Sequence, residues 1–388
     1  MSLSDRVSGI AHGFLRNRVM RMFNKKIEQC EKIHPELFTP VKKNVKDSYD
    51  ALWRQFGLRV NEKYLYFYSN ISGIVDYRYL PEDIFIGKIE RILNDCNRSG
   101  GEGEDKNQYS IFIDRQHQPR FVLRFIRGCF FDEDYNFLSD NEAKSILGRD
   151  NGDLIGKVAA EMIGGSSTLG GHGIKGFFYK KGVGYIDKNG LELNVEWIRK
   201  NFVSYVLQER VEQCEFSAQF NAASANTCRI ITFRCPWDGK TLVVKAGMRF
   251  GVSDEVFDNL SSGGVGVAMG ANGELGKTAY NWYHLEKFTH HPSSGVEFGG
   301  KVHPYFKEMS EVACQYAARI PNFSLLSWDF IADKNGAVKI LELNETRQGT
   351  DWQQYDFGPF FGALTDKVVD WCVEHQRYDY FRHIRTWY

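Results

Sequence analysis

The sequence predicts an α+β fold, and three observations carry that prediction. The first 60 residues read as helix, short strands and helices then alternate around a glycine-rich run, and an alternating hairpin pattern spans Ser327 to Gln354. At 388 residues the chain exceeds a typical single core, so two or three packed lobes are expected. Lysine plus arginine equals aspartate plus glutamate at 49 each, which provides no global field to draw nucleic acid or an anionic surface. The eight cysteines are scattered without a CxxC pair, the usage expected of reduced thiols in a cytoplasmic protein. No run approaches eighteen apolar residues and no apolar signal core follows the N-terminus, so a soluble protein is expected.

Residues 1–60 form the expected N-terminal helical extension. Ile10, Phe14, Met20 and Phe23 alternate there with Arg16, Arg18, Arg21, Lys25 and Lys26. A basic amphipathic helix of this kind can make peripheral contact with an anionic membrane; the alternative is a helix packed on its own protein. An N-terminal α/β region is expected over 61–150. In it Pro81-Glu82-Asp83 opens a helix with acids in the first turn, as the helix dipole favours. The run from Asn97 to Asn107, NRSGGEGEDKN, reads as a mobile surface loop. YSIFID and FVLRFIRGCFF read as strands, and Ser139 with Glu142 forms a capping box before DNEAKSIL.

Residues 151–212 make the next expected unit. A short apolar strand carrying Lys157 leads into a loop with Gly164, Gly165, Gly170, Gly171 and Gly173 and the hydroxyls of Ser166, Ser167 and Thr168. Glycines let backbone N–H groups approach a phosphate chain, and Lys157 would add a point charge; a flexible hairpin tip is the structural alternative. FVSYVLQERVEQ is a strand ending in Gln208-Glu209-Arg210-Val211, whose extended backbone can pair with an adenine edge. Glu212 or Glu215 would then accept ribose hydroxyls.

The remaining unit, 213–388, begins with the strands SANTCRIITFR and VVKAGMRFG, which project Arg229, Lys245 and Arg249. Arginine binds carboxylate or phosphate with a planar fork. Asp258-Asn259 and Gly263-Gly264 lie in a second small-residue loop, and His290-His291-Pro292 is expected to contact substrate. Pro304 to Arg319 has helical periodicity. In the hairpin, Asn335-Gly336 signals a two-residue type I′ loop. Counting outward from it pairs Lys334 with Ala337 and sets Asp329 opposite Glu342, with Asn344 on the same face. Trp328, Phe330, Leu341 and Leu343 would point to the core, leaving Ile331 and Ile340 on the acidic face. Opposed carboxylates repel, and a hard divalent cation such as Mg²⁺ would relieve the repulsion; the alternative is an ordinary solvated face. A three-residue loop without a bulge would turn Asp329 away from Glu342. Arg347, Gln353 and Gln354 are expected to border the metal face.

Taken in order, the Lys157 strand, the glycine-rich loop, QERV, SANTCRIIT, Asp258-Asn259, HPSSG, and WDF with ELN resemble the ATP-grasp superfamily. More narrowly, they resemble its sugar-transfer-associated family over roughly Asp47 to Gly362. The resemblance implies two α+β lobes enclosing a nucleotide cleft, with ATP and Mg²⁺ as cofactors. It places Lys157, Ser167, Thr168, Gly170, Gly171 and Gly173 at the phosphates and Gln208, Glu209, Val211 and Glu212 at the nucleoside. Asp329, Glu342 and Asn344 would hold the metal, and Arg229 and Arg249 would act on the γ-phosphate or a carboxylate. The implied activity is an amide-forming ligase working through an acyl phosphate on glycan or small-molecule carboxylates and amines, in bacterial surface polysaccharide assembly. A phosphotransferase on the same fold and a catalytically silent nucleotide- or glycan-binding protein are the alternatives. One departure is that Val158-Ala159-Ala160 follows the strand lysine, where the superfamily commonly has proline.

Overall fold

Every element from Leu3–Ile33 to Tyr109–Phe112 is helical. The computed structural model describes residues 3–94, 105–159, 173–253, 258, 263–281, 285–346 and 348–379, with side chains from residue 13 on. Leu3–Ile33 buries Val19, Met20 and Ile27 and exposes Phe14 and Met22, so one face packs on the protein and the other meets solvent. Lys43–Trp53, Lys63–Ser72 and the helical turns from Glu82 to Leu93 complete a layer rich in buried aromatics, among them Trp53, Tyr64, Tyr68 and Tyr79.

YSIFID is not a strand. Asp105 accepts the Asn107 N–H at 2.9 Å and starts a 3₁₀ turn, Lys106–Gln108, which continues into the helix Tyr109–Phe112. A local aspartate cap and the burial of Tyr109, whose hydroxyl receives the Leu343 N–H at 2.9 Å, outweigh the β-propensity of so short a run. The same turn removes residues 105–107 from the surface loop expected there, and Asn107 is buried.

Among the described residues, fourteen strands form two antiparallel seven-stranded sheets. The first contains β1 (Phe121–Ile126), β2 (Cys129–Phe131), β3 (Phe137–Leu138), β4 (Leu154–Val158), β5 (Ile174–Lys180), β6 (Gly184–Ile186) and β7 (Ser204–Glu209), in the order β3-β2-β1-β7-β4-β5-β6. Helices Asp140–Leu147 and Val195–Asn201 cover one face through Ala143, Leu147, Val195 and Ile198. The capping box of the former is present, with Glu142 reaching back to the Ser139 N–H at 2.7 Å.

The second sheet contains β8 (Thr227–Arg234), β9 (Thr241–Phe250), β10 (Val265–Met269), β11 (Leu275–Asn281), β12 (Lys287–Phe288), β13 (Leu325–Ala332) and β14 (Val338–Asn344), in the order β12-β11-β10-β9-β8-β13-β14. The helix Phe306–Ala317 packs on one face through Met309, Val312, Ala313 and Tyr316. Trp352, Tyr355 and Phe360 join the other face to the N-terminal helical layer through a shared core with Ile231 and Leu325. A Cβ on Gly247 would lie 2.1 Å from the Trp352 ring, so only glycine allows that ring to lie against β9.

The β13–β14 loop differs from the two-residue form expected. Asp333 N–H donates to Ala337 O and Gly336 N–H to Asp333 O, both at 2.9 Å, which makes a three-residue loop of Lys334, Asn335 and Gly336 with Gly336 at φ 89°. The Asp333 carboxylate accepts the N–H groups of Asn335 and Ala337, a local option that the Asn-Gly signal does not reveal. This loop alone shifts the register by one residue and would turn Asp329 away from Glu342. A β-bulge between Asp329 and Phe330 shifts it back. Phe330 pairs with Ile340 and Asp329 with Glu342, so Leu341 is the inserted residue. As a result Ile340, expected on the acidic face, packs in the core beside Trp328, Phe330 and Leu343, while Leu341 faces the opposite side.

Candidate functional site

The two sheets meet over a cleft. β4, β5 and β7 supply Ile155, Lys157, Ile174 and Gln208 to one wall, and β8, β9, β13 and β14 supply the other. Ile155, Ile174, Val211, Ile331 and Leu341 supply the apolar part of the cleft's lining, with Ile174 the cross-strand neighbour of Lys157. The chain between the lobes passes along the cleft. Glu209 and Arg210 give their N–H groups to Arg120 O at 3.0 Å and Asp153 O at 2.8 Å, and Val211 continues the wall beyond the last ladder bond. Gln208 and Glu209 line the cleft with it. Glu212 stands to the side, its carboxylate 2.9 Å from Lys334 Nζ.

The polar part of the lining is built on Asp329, which is 1% exposed. Arg229 donates to both of its oxygens, Nε to Oδ1 at 2.7 Å and Nη2 to Oδ2 at 2.8 Å, and Arg249 Nη2 reaches Oδ2 at 3.0 Å. The register explains this, because Asp329 pairs with Arg229 across β13–β8, and Arg229 pairs with Gly247 across β8–β9. Burial by itself would raise the Asp329 carboxyl, but the two guanidinium groups overcome that and hold it at about 2. Glu342 is half-buried and bound by Lys106 Nζ at 3.0 Å; burial opposes ionisation there too, and Lys106 turns the balance to a lowered pKa. The repulsion between the opposed carboxylates is thus answered by cations of the chain itself.

Lys157 is buried, and its Nζ donates to Leu341 O at 3.2 Å, the carbonyl of the bulged residue. Burial pulls its pKa down to about 8, with Lys106 adding to the effect and Glu342 and Asp329 opposing it. Asp258 is also buried. It accepts the Thr227 N–H at 2.7 Å and the Thr227 hydroxyl, while Arg249 Nη2 donates to that hydroxyl at 2.8 Å. Lys106, Lys157, Arg229 and Arg249 therefore gather around Asp329, Glu342 and Asp258.

Several expected site residues are elsewhere. Lys245 lies on the Arg249 side of β9 but farther along, where its Nζ donates to Phe357 O at 3.1 Å and Gly358 O at 2.9 Å. At the expected substrate loop only His291 is buried, its Nε2 meeting Gly251 O at 3.0 Å and its Nδ1 Ser294 Oγ at 3.1 Å, while His290, Pro292, Ser293 and Ser294 are exposed. Nor does Gln354 border a metal face. Its amide accepts the N–H groups of Leu80 at 3.0 Å and Phe360 at 3.1 Å and donates to Leu80 O and Thr350 O, joining three segments. Gln353 is buried beside it. Ser167, Thr168, Gly170, Gly171 and Arg347 lie outside the described residues; Gly173 leads into β5, its carbonyl accepting the Val158 N–H at 2.9 Å.

Lys106, Thr227 and Asp258 were not anticipated as site residues. The Asp105-Lys106-Asn107 sequence carried a turn signal that fixes where Lys106 starts. Nothing local pointed it at Glu342. As for a metal, no three His, Cys, Asp or Glu side chains converge closely enough to hold one among the described residues. Both oxygens of Asp329 are occupied by guanidinium groups, whereas Glu342 binds Lys106 through Oε1 and the Asn344 Nδ2 has no partner among the described residues. A carboxylate and an amide on one strand face supply hard oxygen donors of the kind Mg²⁺ takes.

A model of the sugar-transfer associated ATP-grasp family matches residues 153–358, which run from β4 through β14. The chain belongs to that family. This ATP-grasp chain matches no curated protein sequence. Among solved structures it is similar to the VanG D-Ala:D-Ser ligase of Enterococcus faecalis, at 12% identity and a TM-score of 0.38, covering 70% of this chain and 61% of that one. It is likewise similar to biotin carboxylase of Campylobacter jejuni, at 10% identity and a TM-score of 0.40, covering 70% and 46%. A third is N5-carboxyaminoimidazole ribonucleotide synthetase of Thermotoga maritima, at 11% identity and a TM-score of 0.33, covering 64% and 44%. The chain thus spans between 44% and 61% of the length of these proteins. No described helix is long and apolar enough to cross a membrane.

Proposed function

We propose that this ATP-grasp chain is an ATP- and Mg²⁺-dependent ligase that activates a carboxylate as an acyl phosphate for attack by an amine, in the assembly of a bacterial surface polysaccharide. The observation that carries the reading is the gathering of Lys106, Lys157, Arg229 and Arg249 around Asp329 and Glu342 in a cleft that also has an apolar lining. An adenine ring fits between Ile155, Ile174 and Leu341, with its edge toward Glu209–Val211, and the phosphates then extend toward the cations. A carboxylate oxygen of the acid substrate attacks the γ-phosphorus, ADP leaves, and an acyl phosphate forms. The amine then attacks the acyl carbon, inorganic phosphate departs, and the amine gives up a proton.

Lys157 and Lys106 bind and orient the phosphate chain, and Arg229 and Arg249 offset the charge on the transferring phosphoryl group. Glu342 and Asn344 would hold Mg²⁺, with Asp329 joining them where Arg229 and Arg249 turn from it to the phosphates. When bound, the metal supplies further positive charge at the phosphate oxygens. The test is ADP release against paired sugar acids, amino acids and amines, with hydroxylamine present to trap the acyl phosphate. Carboxylate-dependent ADP release with hydroxamate formation is expected. ADP release without hydroxamate for every acid tried would overturn the ligase reading in favour of phosphoryl transfer to a hydroxyl.

A further inference from the structure

The helix Leu3–Ile33 is held to the body by one face. Val19, Met20 and Ile27 are buried, and a Cβ on Gly87 would lie 2.9 Å from the Met20 side chain, so the two segments pack closely there. Polar ties lie beside these contacts. Asn24 Nδ2 donates to Asp83 Oδ2 at 2.9 Å, and Lys63 Nζ meets Glu31 Oε2 at 2.6 Å. The opposite face is therefore presented to solvent in a fixed orientation.

That face carries Phe14, Arg18, Arg21, Met22 and Lys25, which at 3.6 residues per turn fall within an arc of roughly 100°. All five are exposed, Phe14 to 67% and Met22 to 53%. Lys32 continues the stripe, and Glu28 at its margin is the one acid exposed among the helix's described side chains. None of Arg18, Arg21, Lys25 and Lys32 forms a salt bridge among the described residues. The chain as a whole carries equal numbers of cationic and anionic side chains, so these cations are a local excess on an otherwise balanced protein.

The make-up of the stripe selects its partner. Single exposed apolar side chains are common and need no explanation, but Phe14 and Met22 each have a cation three or four residues away on the same face. A nucleic acid backbone or an acidic protein surface would pair the cations and leave the phenyl ring and the thioether in water. The interface of a bilayer accepts both kinds of group, with phosphates at the cations and acyl chains at the apolar side chains, and long basic side chains reach from the boundary up to the headgroups.

We infer that this face of the N-terminal helix seats the protein on an anionic phospholipid bilayer. The helix lies along the surface, with Phe14 and Met22 at the boundary of headgroups and acyl chains and Arg18, Arg21, Lys25 and Lys32 at lipid phosphates. The inference goes beyond the ligase reading and does not depend on it. Two apolar side chains bury little area, whereas each basic residue at an anionic surface strengthens binding about fivefold. Attachment is accordingly reversible and sensitive to salt.

The experiment is co-sedimentation of the full chain with vesicles of phosphatidylcholine alone and of phosphatidylcholine mixed equally with phosphatidylglycerol, at low and at high salt. Binding to a short DNA duplex and to ADP is measured in parallel. Sedimentation with the mixed vesicles is expected, with little on the neutral ones and a loss as salt is raised. Replacing Arg18→Gln, Arg21→Gln and Lys25→Gln together is expected to weaken binding to the mixed vesicles about a hundredfold. Phe14→Ser with Met22→Ser is expected to weaken it about tenfold. Both variants alter exposed side chains only, so their melting temperatures and ADP binding should match those of the wild type. Failure to sediment with the mixed vesicles would overturn the inference, as would equal binding to both kinds of vesicle or undiminished binding by the triple variant. Tighter binding to the duplex than to the mixed vesicles, lost in the triple variant, would assign the face to nucleic acid and overturn it too. ADP binding without vesicle binding defeats this inference and leaves the ligase reading intact; vesicle binding without ADP binding does the reverse.

Discussion

Lys157 and Asp329 are both buried charges, but the structure treats them in opposite ways. Lys157 has one carbonyl for a partner and a pKa near 8, below the ordinary lysine value of about 10.4. Below pH 8 it is charged and its burial is a cost, and that cost is relieved as pH rises from about 8 toward the unfolded value. Phosphate binding requires the charged form, so ADP affinity is expected to fall as pH rises above 8, with proton uptake on binding. Calorimetry between pH 7 and 9.5 in buffers of different ionisation heat would read both effects, and Lys157→Met should flatten the profile. Asp329 is held at about 2, below the ordinary carboxyl value of about 3.9, so its contribution to stability is complete above pH 4 and lost as pH falls through 2. Asp329→Asn leaves Arg229 and Arg249 without their shared counter-charge and is expected to cost about 3–5 kcal/mol, seen as a lowered urea midpoint at neutral pH. The variant's midpoint should also lose much of its acid dependence between pH 4 and 2. The pairing of Asp329 with Glu342 was legible from alternation along two strands. That Arg229 and Arg249 would take both of its oxygens was not, because which strands neighbour β13 is decided by tertiary packing.

Among the elements, the β13–β14 hairpin combines a three-residue loop with a one-residue bulge. Local sequence announces a turn at Asn335-Gly336, but the Asp333 side chain selects the longer form. The bulge has no sequence signature, since Ile340 and Leu341 are interchangeable to any hydropathy count; only burial of Ile340 against Phe330 distinguishes them. For the same reason the helix at Tyr109–Phe112 and the inward-pointing Lys106 escaped a reading of composition. Deleting Leu341 should leave an unbulged ladder with Asp329 still opposite Glu342 and with the carbonyl acceptor of Lys157 removed. The expected result is a folded protein whose ADP affinity falls about tenfold, the order of one charge-assisted hydrogen bond. Unchanged ADP affinity in a folded deletion variant would show that the bulge does not position Lys157.

On the scale of the whole molecule, the N-terminal helical layer and the second sheet form one core, and Gln354 is the polar tie between them. Its amide satisfies the Leu80 backbone on both sides as well as Phe360 N–H and Thr350 O. Gln354→Leu keeps the volume but strands four buried groups, and at about 1–3 kcal/mol for each it should lower the melting temperature more than any surface change. Equal melting temperatures for wild type and variant would contradict this account. The two-sheet architecture was legible from strand patterns and the family likeness. The cavity between the N-terminal helix and the segment that follows β14 was not, since its lining comes from segments as far apart as Lys26 and Tyr355 that only the folded chain brings together.

The compensated hairpin has a consequence for comparing this chain with its relatives. Strand faces depend on whether an offset is odd or even, and here two odd offsets, one in the loop and one in the bulge, cancel. A relative with the same number of residues between its acids and a two-residue loop keeps them opposed only if its ladder carries no bulge. A single-residue gap at Leu341 should therefore go with an unbulged three-residue loop, whereas an ungapped relative must carry the longer loop and the bulge together or neither.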